Sequence, residues 1–367
     1  DIVIVGGGIA GASLAYFLAQ NEITDVVLLE RESTPGYHSS GRSAAISREW
    51  DPDPLFQTLK SLSHEFFLSP PDDFSDAPIF DRVGTLSVVG PGEETQLEQS
   101  LKGCASAGIA AERWNGDDAV SRIPILKAEH VGAGVFLPNS GNIDVHELLT
   151  GYLKHARSAG IGINTGSEVM EIERDIDGIC GVTTANGTIH TRCVVNAAGA
   201  WADQLYVLAG GTPIGITPMR RTIIVPQAPD WYRPTMWPHT SDLTHGFYVK
   251  PEGASIIASP MDEDAVQPCD AQPDELRMAE IADLIERFTT FSVPSIENQW
   301  AGLRSFAPDR HPVVGADPVV PGFFWLAGQG GAGISTSPAL GRITAELLAR
   351  GDTDLIDQRV LSPGRFI

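Results

Sequence analysis

The apolar positions of the first thirty residues change period twice. Ile2-Val3-Ile4-Val5 is an unbroken apolar run, residues 9–20 carry apolar side chains at helical spacing, and Val26-Val27-Leu28-Leu29 is a second unbroken run. Short unbroken runs predict strands buried on both faces, so residues 2–5, 9–20 and 26–30 read as strand, helix, strand. Helical periodicity returns at 54–68, 93–107, 144–158 (with Asp144 as N-cap) and 273–290. Strands are predicted near 85–89 and at 168–173, 179–184, 188–196, 215–225 and 246–259. Asn186-Gly187 predicts the hairpin turn of a β-meander, and Val194 to Gly199 a buried strand ending in small residues. Phe323 to Gly328 reads as a final strand, followed by a glycine cluster and a helix through about residue 349. Pro35 to Ala45 is a polar loop, and the Pro- and Trp-rich loop Pro226 to Pro238 is placed to border a cleft.

The first junction carries chemistry. Gly6-x-Gly8-x-x-Gly11 lies directly behind the first strand, and Glu30 closes the second. Gly6 permits a tight turn, Gly8 lets a pyrophosphate approach the backbone, and Gly11 lets the helix pack close to the strand. The helix N-terminus, with Ile9 and Ala10, then faces the phosphates, and Glu30 accepts hydrogen bonds from a ribose. An acid at this place argues against a 2′-phosphate, which favours FAD or NAD over NADP. The two ends of the chain build this nucleotide lobe and the middle inserts a β-rich one. A plain NAD-dependent dehydrogenase has its nucleotide domain in one piece, so the discontinuity matters.

With 367 residues, 42% of them hydrophobic, the chain can bury the cores of two lobes. The formal charge is 25 − 47 = −22, which disfavours nucleic acid and anionic membrane surfaces and favours solubility. No run of eighteen apolar residues and no signal peptide is visible, and the chain begins inside its first strand. The four cysteines (104, 180, 193 and 269) are scattered, which predicts reduced, mostly buried thiols of a cytoplasmic protein. Peripheral contact with the inner membrane is the alternative location. The nine histidines show no metal-ligand spacing; His64, His155 and His190 read as exposed or structural.

Four further motifs carry a resemblance: Gly36-Tyr37-His38-Ser39-Ser40-Gly41-Arg42-Ser43-Ala44-Ala45, Asn196-Ala197-Ala198-Gly199-Ala200-Trp201, Trp300-Ala301-Gly302-Leu303-Arg304-Ser305-Phe306, and Gly328-Gln329-Gly330-Gly331-Ala332-Gly333-Ile334-Ser335. Together they resemble the D-amino-acid oxidase superfamily of FAD-dependent amine oxidoreductases, and within it most closely the D-arginine dehydrogenase branch. The resemblance spans nearly the whole chain. It implies a two-lobed α/β fold, with a glutathione-reductase-type, Rossmann-like FAD lobe (1–80, 145–212 and 300–367) and a β-rich substrate lobe (81–144 and 213–299). It also implies that Ser43, Ala44 and Ala45 lie along the flavin, that Arg42 holds the pyrophosphate and a neighbouring loop, and that Val169 meets the adenine. Arg31, Ala198, Gly199, Trp201 and Gly302 would line the nucleotide, and Gly330 to Ser335 would cover the pyrimidine edge of the ring. No cysteine precedes Pro308-Asp309, so the FAD is expected to be non-covalent.

Oxidising an amino acid requires fixing its Cα–H over flavin N5, and a bidentate guanidinium on the carboxylate does this efficiently. Arg304, in the Gly-Leu-Arg motif, is the first candidate, Arg221 the second and Tyr248 the third. Arg220 reads as a surface ion-pair partner, since only one of two adjacent strand residues faces inward. Where the branch has a His and a Tyr-bearing lid, this chain reads Ile46-Ser47-Arg48-Glu49-Trp50-Asp51-Pro52; where it has an acid for a cationic side chain, Thr85 stands. His239, Thr240 and Ser241 replace apolar pocket positions. A buried cation without its carboxylate is costly, so D-arginine is disfavoured, and Arg48 and His239 point to a polar or acidic side chain. The expected activity is FAD-dependent oxidation of a D-amino acid to the imino acid, by a dehydrogenase or an oxidase. The alternatives are a 2-hydroxy acid or secondary amine (sarcosine or glycine type) as substrate, or an FAD-binding scaffold without turnover. The electron acceptor (quinone, carrier or O2) is open.

Overall fold

The structure, a computed structural model, describes residues 1–233 and 237–366. Its first sheet has six strands in the order Val313–Ala316, Phe323–Ala327, Cys193–Asn196, β1 (Ile2–Val5), β2 (Val26–Leu29) and Gly162–Asn164. All neighbours are parallel except the first pair. Side chains alternate across β1. Ile4 packs with Leu14 and Leu18 of helix α1 (Ile9–Gln20), together with Tyr152 and Leu340 of two further helices. Val3 and Val5 face the opposite core, with Val182, Tyr206 and Trp325. Both faces are covered, which is why β1 is an unbroken apolar run. Each fully buried leucine in these layers contributes about 1.5–3 kcal/mol.

The helices follow their predicted spans closely, at Pro54–Leu68, Thr95–Ser106, Val145–Ser158 and Glu275–Phe288. Asp144 caps its helix by accepting from the Glu147 N–H at 3.0 Å. Asp274 does the same for the Leu276 and Arg277 N–H groups.

The structure differs from the sequence reading in detail: the predicted strand 246–259 is a hairpin of two strands, Phe247–Glu252 and Ser255–Ser259. The predicted strand 188–196 is two strands. Gly187–His190 belongs to a three-stranded meander with Val169–Asp175 and Gly178–Thr184, whereas Cys193–Asn196 enters the parallel sheet. Between them the Thr191 hydroxyl donates to the Asp1 and Cys193 carbonyls, holding the crossover. The hairpin loop is Ala185-Asn186, one residue earlier than predicted, because Thr184 pairs with Gly187. The last helix, Ser337–Arg350, follows the glycine cluster as the sequence predicts. A hydrogen-bonded turn, Thr336 N–H to the Ala332 carbonyl, intervenes.

The second large sheet has nine strands. From one edge they run Asp264–Ala265, Thr217–Pro226, Ser255–Ser259, Phe247–Glu252, His239–Asp242, Thr85–Val89, Ala133–Leu137 and Glu112–Asn115, and Ile296–Phe306 pairs with Thr217–Pro226. Helix Glu275–Phe288 buries Ile281 and Ile285 against Ile224 and Val249. The expected loop Pro226 to Pro238 lies partly outside the described residues. The cysteines are unpaired; only Cys104 is buried and Cys269 is exposed, so the expectation of mostly buried thiols is corrected. Among the described residues no helix is long and apolar enough to cross a membrane.

Candidate active site

A cleft of about 460 Å³ opens along the carboxyl ends of β1, β2 and Cys193–Asn196. Gly6 turns the chain out of β1 with φ 113°, and a Cβ there would lie 2.3 Å from the Ala197 carbonyl oxygen. A Cβ on Gly11 would lie 2.0 Å from the Gly6 carbonyl oxygen. These two contacts let α1 start close behind the strand. The first turn of α1 holds no acid, and no side chain of its N-cap residue, Gly8, closes the helix end. The partial positive charge of the helix is therefore left for a ligand anion. Only the Ser40 hydroxyl, accepting from the Ile9 N–H at 2.9 Å, touches the first helical amide.

Glu30 is buried at the end of β2. Its carboxylate accepts from the Gly7 N–H at 2.7 Å and the Glu32 N–H at 2.8 Å. Each oxygen keeps a further lone pair for a ribose hydroxyl. Beyond it the Arg31 guanidinium lies 3.8 Å over the Trp201 ring, a cation–π contact on the cleft wall. A helix end free of counter-charge, a glycine cradle and an acid beside it fit the diphosphate and ribose of FAD.

The Ser43–Ala45 segment is held by groups that sequence reasoning missed. The buried Lys250 ammonium donates to the Ala44 carbonyl at 3.0 Å and pairs with Glu252 at 2.5 Å. The Trp300 indole donates to the Arg42 carbonyl at 3.1 Å. The Arg42 guanidinium itself is spent on the Ala271 and Ala301 carbonyls and on Asp270. It tethers the 270–271 loop, so of the two roles expected for Arg42 the geometry favours the loop over the pyrophosphate.

A second cavity, about 570 Å³, shares Ser43, Ala44, Arg221, Tyr248, Arg304 and Gly331 with the cleft. Arg221 and Arg304 reach it from paired strands. Met219 stands opposite Arg304 and Arg221 opposite Gly302, so the two arginines are diagonal neighbours on one face. Arg220 points the other way, to Asp274 at 2.9 Å and Asp264 at 3.6 Å. Arg221 is buried and donates to the Asp262 carbonyl at 2.7 Å and to Glu263 at 3.3 Å. Burial, aided by the Arg304 charge, lowers its pKa to about 10. Burial likewise lowers Arg304, and Tyr248 and Glu263 oppose that.

The Tyr248 hydroxyl is buried and makes no hydrogen bond of good geometry among the described residues, with the Ser259 side chain beside it across the strand pair. Burial raises its pKa against the pull of Arg304 and Arg221, so it is a neutral donor. His239 is 1% exposed, and among the described residues neither ring nitrogen has a partner. Burial first, then Arg48 and Lys250, push its pKa well below the ordinary value, so the ring is neutral. Its ring centroid lies 4.9 Å from that of Tyr248. The Arg48 guanidinium donates to the Ser241 hydroxyl at 2.5 Å.

Of the residues singled out in the sequence, Gly6, Gly8, Ile9, Ala10, Glu30, Arg31, Arg42, Val169, Ala198, Gly199, Trp201, Gly302, Gly330 and Gly333 line the cleft. Ala45, Ile46, Arg48, His239, Ala332 and Ser335 line the second cavity, and Ile334 lines both. Gly11 and Thr85 line neither. Gly11 acts behind the turn, and beside Thr85 its register neighbour His239 faces the cavity instead. Asp51, Lys60, Glu263, Arg310 and His311 were not anticipated, since nothing local in the sequence marks them. None of the four cysteines lines either cavity.

The DAO family model, described as FAD dependent oxidoreductase, matches residues 1–347. A bovine (Bos taurus) relative, FAD-dependent oxidoreductase domain-containing protein 1, is 27% identical over 100% of this chain and 84% of its own length. Glycine oxidase of Geobacillus kaustophilus is 25% identical over 96% of this chain and 94% of its own. The crystal structure of L-proline dehydrogenase from P. horikoshii superposes with a TM-score of 0.88 at 25% identity, covering 100% of this chain and 97% of that one. The two whose names give a substrate, glycine and L-proline, differ in it, and the match does not single out the D-arginine branch. The chain belongs to the DAO family of FAD-dependent oxidoreductases and is a flavin enzyme.

Proposed function

We propose that this enzyme oxidises the amine of a small amino acid, a D-amino acid first among the classes to test, with non-covalent FAD in the cleft and the substrate in the adjoining cavity. The carrying observation is the convergence of Arg304, Arg221 and the buried Tyr248 hydroxyl where cleft and cavity meet. Bound FAD supplies the acceptance of a hydride from the substrate's α-carbon. Arg304 clamps the carboxylate and the Tyr248 hydroxyl donates a second hydrogen bond to it, which fixes the α-carbon relative to the cleft. Arg221, already committed to Asp262 and Glu263, supports Arg304 by occupying the same carboxylate. On this reading residues 1–80, 145–212 and 300–367 form the FAD lobe and the remainder the substrate lobe.

The test is anaerobic bleaching of the flavin by D- and L-amino acids, N-methyl amino acids and 2-hydroxy acids, followed by readmission of air. Bleaching by one amine class supports the reading, and rapid recolouring in air identifies an oxidase. A second reading, a 2-hydroxy acid as substrate, is favoured by one observation. Neutral His239 has ring nitrogens in the cavity without a partner among the described residues and is chemically suited to take an alcohol proton. Bleaching by hydroxy acids alone would select it.

A further inference from the structure

The charges around the second cavity pair off, with two exceptions. Lys60 is matched by Asp51 at 2.5 Å, His311 by Asp53 at 2.8 Å, and Arg310 by Glu263 at 2.8 Å. Asp309 is taken by Arg365 at 2.7 Å. Arg221 shares Glu263 and lies near Asp262. Arg304 reaches Glu263 only at 4.0 Å, the far limit of an ion pair, and that carboxylate is already shared by two other arginines. Among the described residues no carboxylate lies within ion-pair distance of Arg48; the acid that acts on it, Asp51, is committed to Lys60, and the guanidinium itself is held by the Ser241 hydroxyl.

This is an unusual arrangement for this chain. Acidic residues outnumber basic ones by 47 to 25, so a cation without an acid is the exception. Arg48 is partly buried, and a cation drawn out of water without a partner is costly. The Ser241 hydroxyl orients Arg48 without neutralising it. The wall beside it presents the nitrogens of buried His239, unpartnered among the described residues. A cavity with one weakly paired guanidinium, Arg304, near its junction with the cleft and a second, Arg48, without an ion pair on its own wall is complementary to a ligand with two negative ends.

Resting on the amine-oxidation reading, we propose that the substrate is an amine bearing two carboxylates, the first held by Arg304 with Tyr248 and the second by Arg48, with His239 hydrogen-bonding beside it. Arg48 is then the specificity-determining residue: it selects amino dicarboxylates over neutral and cationic amino acids.

The test measures binding and turnover separately. Calorimetric titration of the FAD-loaded protein uses unreactive acids: malonate, succinate, glutarate and adipate against propionate and butyrate. At least one diacid is expected to bind about tenfold or more tighter than the monoacids, the effect of one added charge-assisted hydrogen-bonded pair. Arg48→Met should bring that diacid to the affinity of the monoacids, and Arg48→Lys should restore part of the difference. Visible flavin and far-ultraviolet circular dichroism spectra matching the parent establish that each variant is folded.

Equal affinity of monoacids and all four diacids for the parent protein would overturn the proposal without any variant. So would a diacid preference that survives Arg48→Met. If amines bleach the flavin and no diacid preference exists, the function reading stands and the dicarboxylate proposal falls. If the preference exists and no amine bleaches the flavin, the second anion site stands and the amine reading falls.

Discussion

His239 makes acid sensitivity a quantitative test of the cavity. The ring is 1% exposed, without hydrogen-bond partners among the described residues and beside the charges of Arg48 and Lys250, so the folded protein holds it neutral far below its ordinary value of 6.5. An unfolded chain protonates it freely at about that value. The folded pKa is depressed, so the contribution to stability is present in full above the unfolded value and is lost as pH falls. Below the unfolded pKa the slope reaches ~1.4 kcal/mol per pH unit for one proton. For a ring that stays neutral throughout, the loss between about pH 7.5 and about pH 5.0 integrates to at most roughly 2 kcal/mol. For a chain of 367 residues, at about 2 cal/mol/K per residue, that corresponds to ~2–3 °C in Tm. The assay is urea unfolding of FAD-saturated protein across this range, for the parent and for His239→Gln. The fixed cost of the substitution cancels in the pH difference, and so does the titration of His64, which burial also depresses. The stability gap between parent and variant should narrow by up to roughly 2 kcal/mol toward the acid end. A gap that stays constant to within ~0.5 kcal/mol would show that His239 titrates alike in both states and would refute a dry, cation-flanked ring.

Other substitutions probe the remaining parts. Arg304→Met should lower kcat/KM for the best amine by ~100-fold or more while the flavin spectrum persists; an unaltered kcat/KM would remove Arg304 from the site. Tyr248→Phe should cost about tenfold in kcat/KM, the worth of one hydrogen bond to a charged group, read from the same turnover assay. Gly11→Ala places a methyl 2.0 Å from the Gly6 carbonyl, and the forced separation of α1 from β1, worth ~1–3 kcal/mol, should weaken FAD binding measured by flavin fluorescence. Asp317→Ala orphans the Tyr206 hydroxyl and Trp325 indole, each 2.9 Å from its carboxylate, and the Val319 and Val320 amides. Thermal unfolding should register a loss of ~3–5 kcal/mol.

Much of this was legible along the chain because it is local. Helix spans and the Asp144 cap are set by residues within a turn of one another. The glycine motif was readable because backbone curvature and close approach leave little choice at Gly6 and Gly11. The split of 188–196 was not readable, since both halves are apolar enough for a strand and only their partners differ. The charge pairing of the cavity was equally hidden. Arg48 and Ser241 are 193 residues apart, and Asp53 and His311 258 apart.

The sequence by itself determined the β1–α1–β2 unit, the acid at the end of β2 proposed to face a ribose, the order of the glycine and arginine motifs and the three groups proposed to hold a carboxylate. Only the tertiary structure decided that Lys250 and Trp300 brace the Arg42–Ala45 segment, that Glu263 serves three arginines, and that among the described residues no carboxylate comes within ion-pair distance of Arg48. The division has a physical cause. Periodicity and backbone sterics act over a few residues, whereas ion pairing depends on which distant side chains the folded sheets bring within about 4 Å.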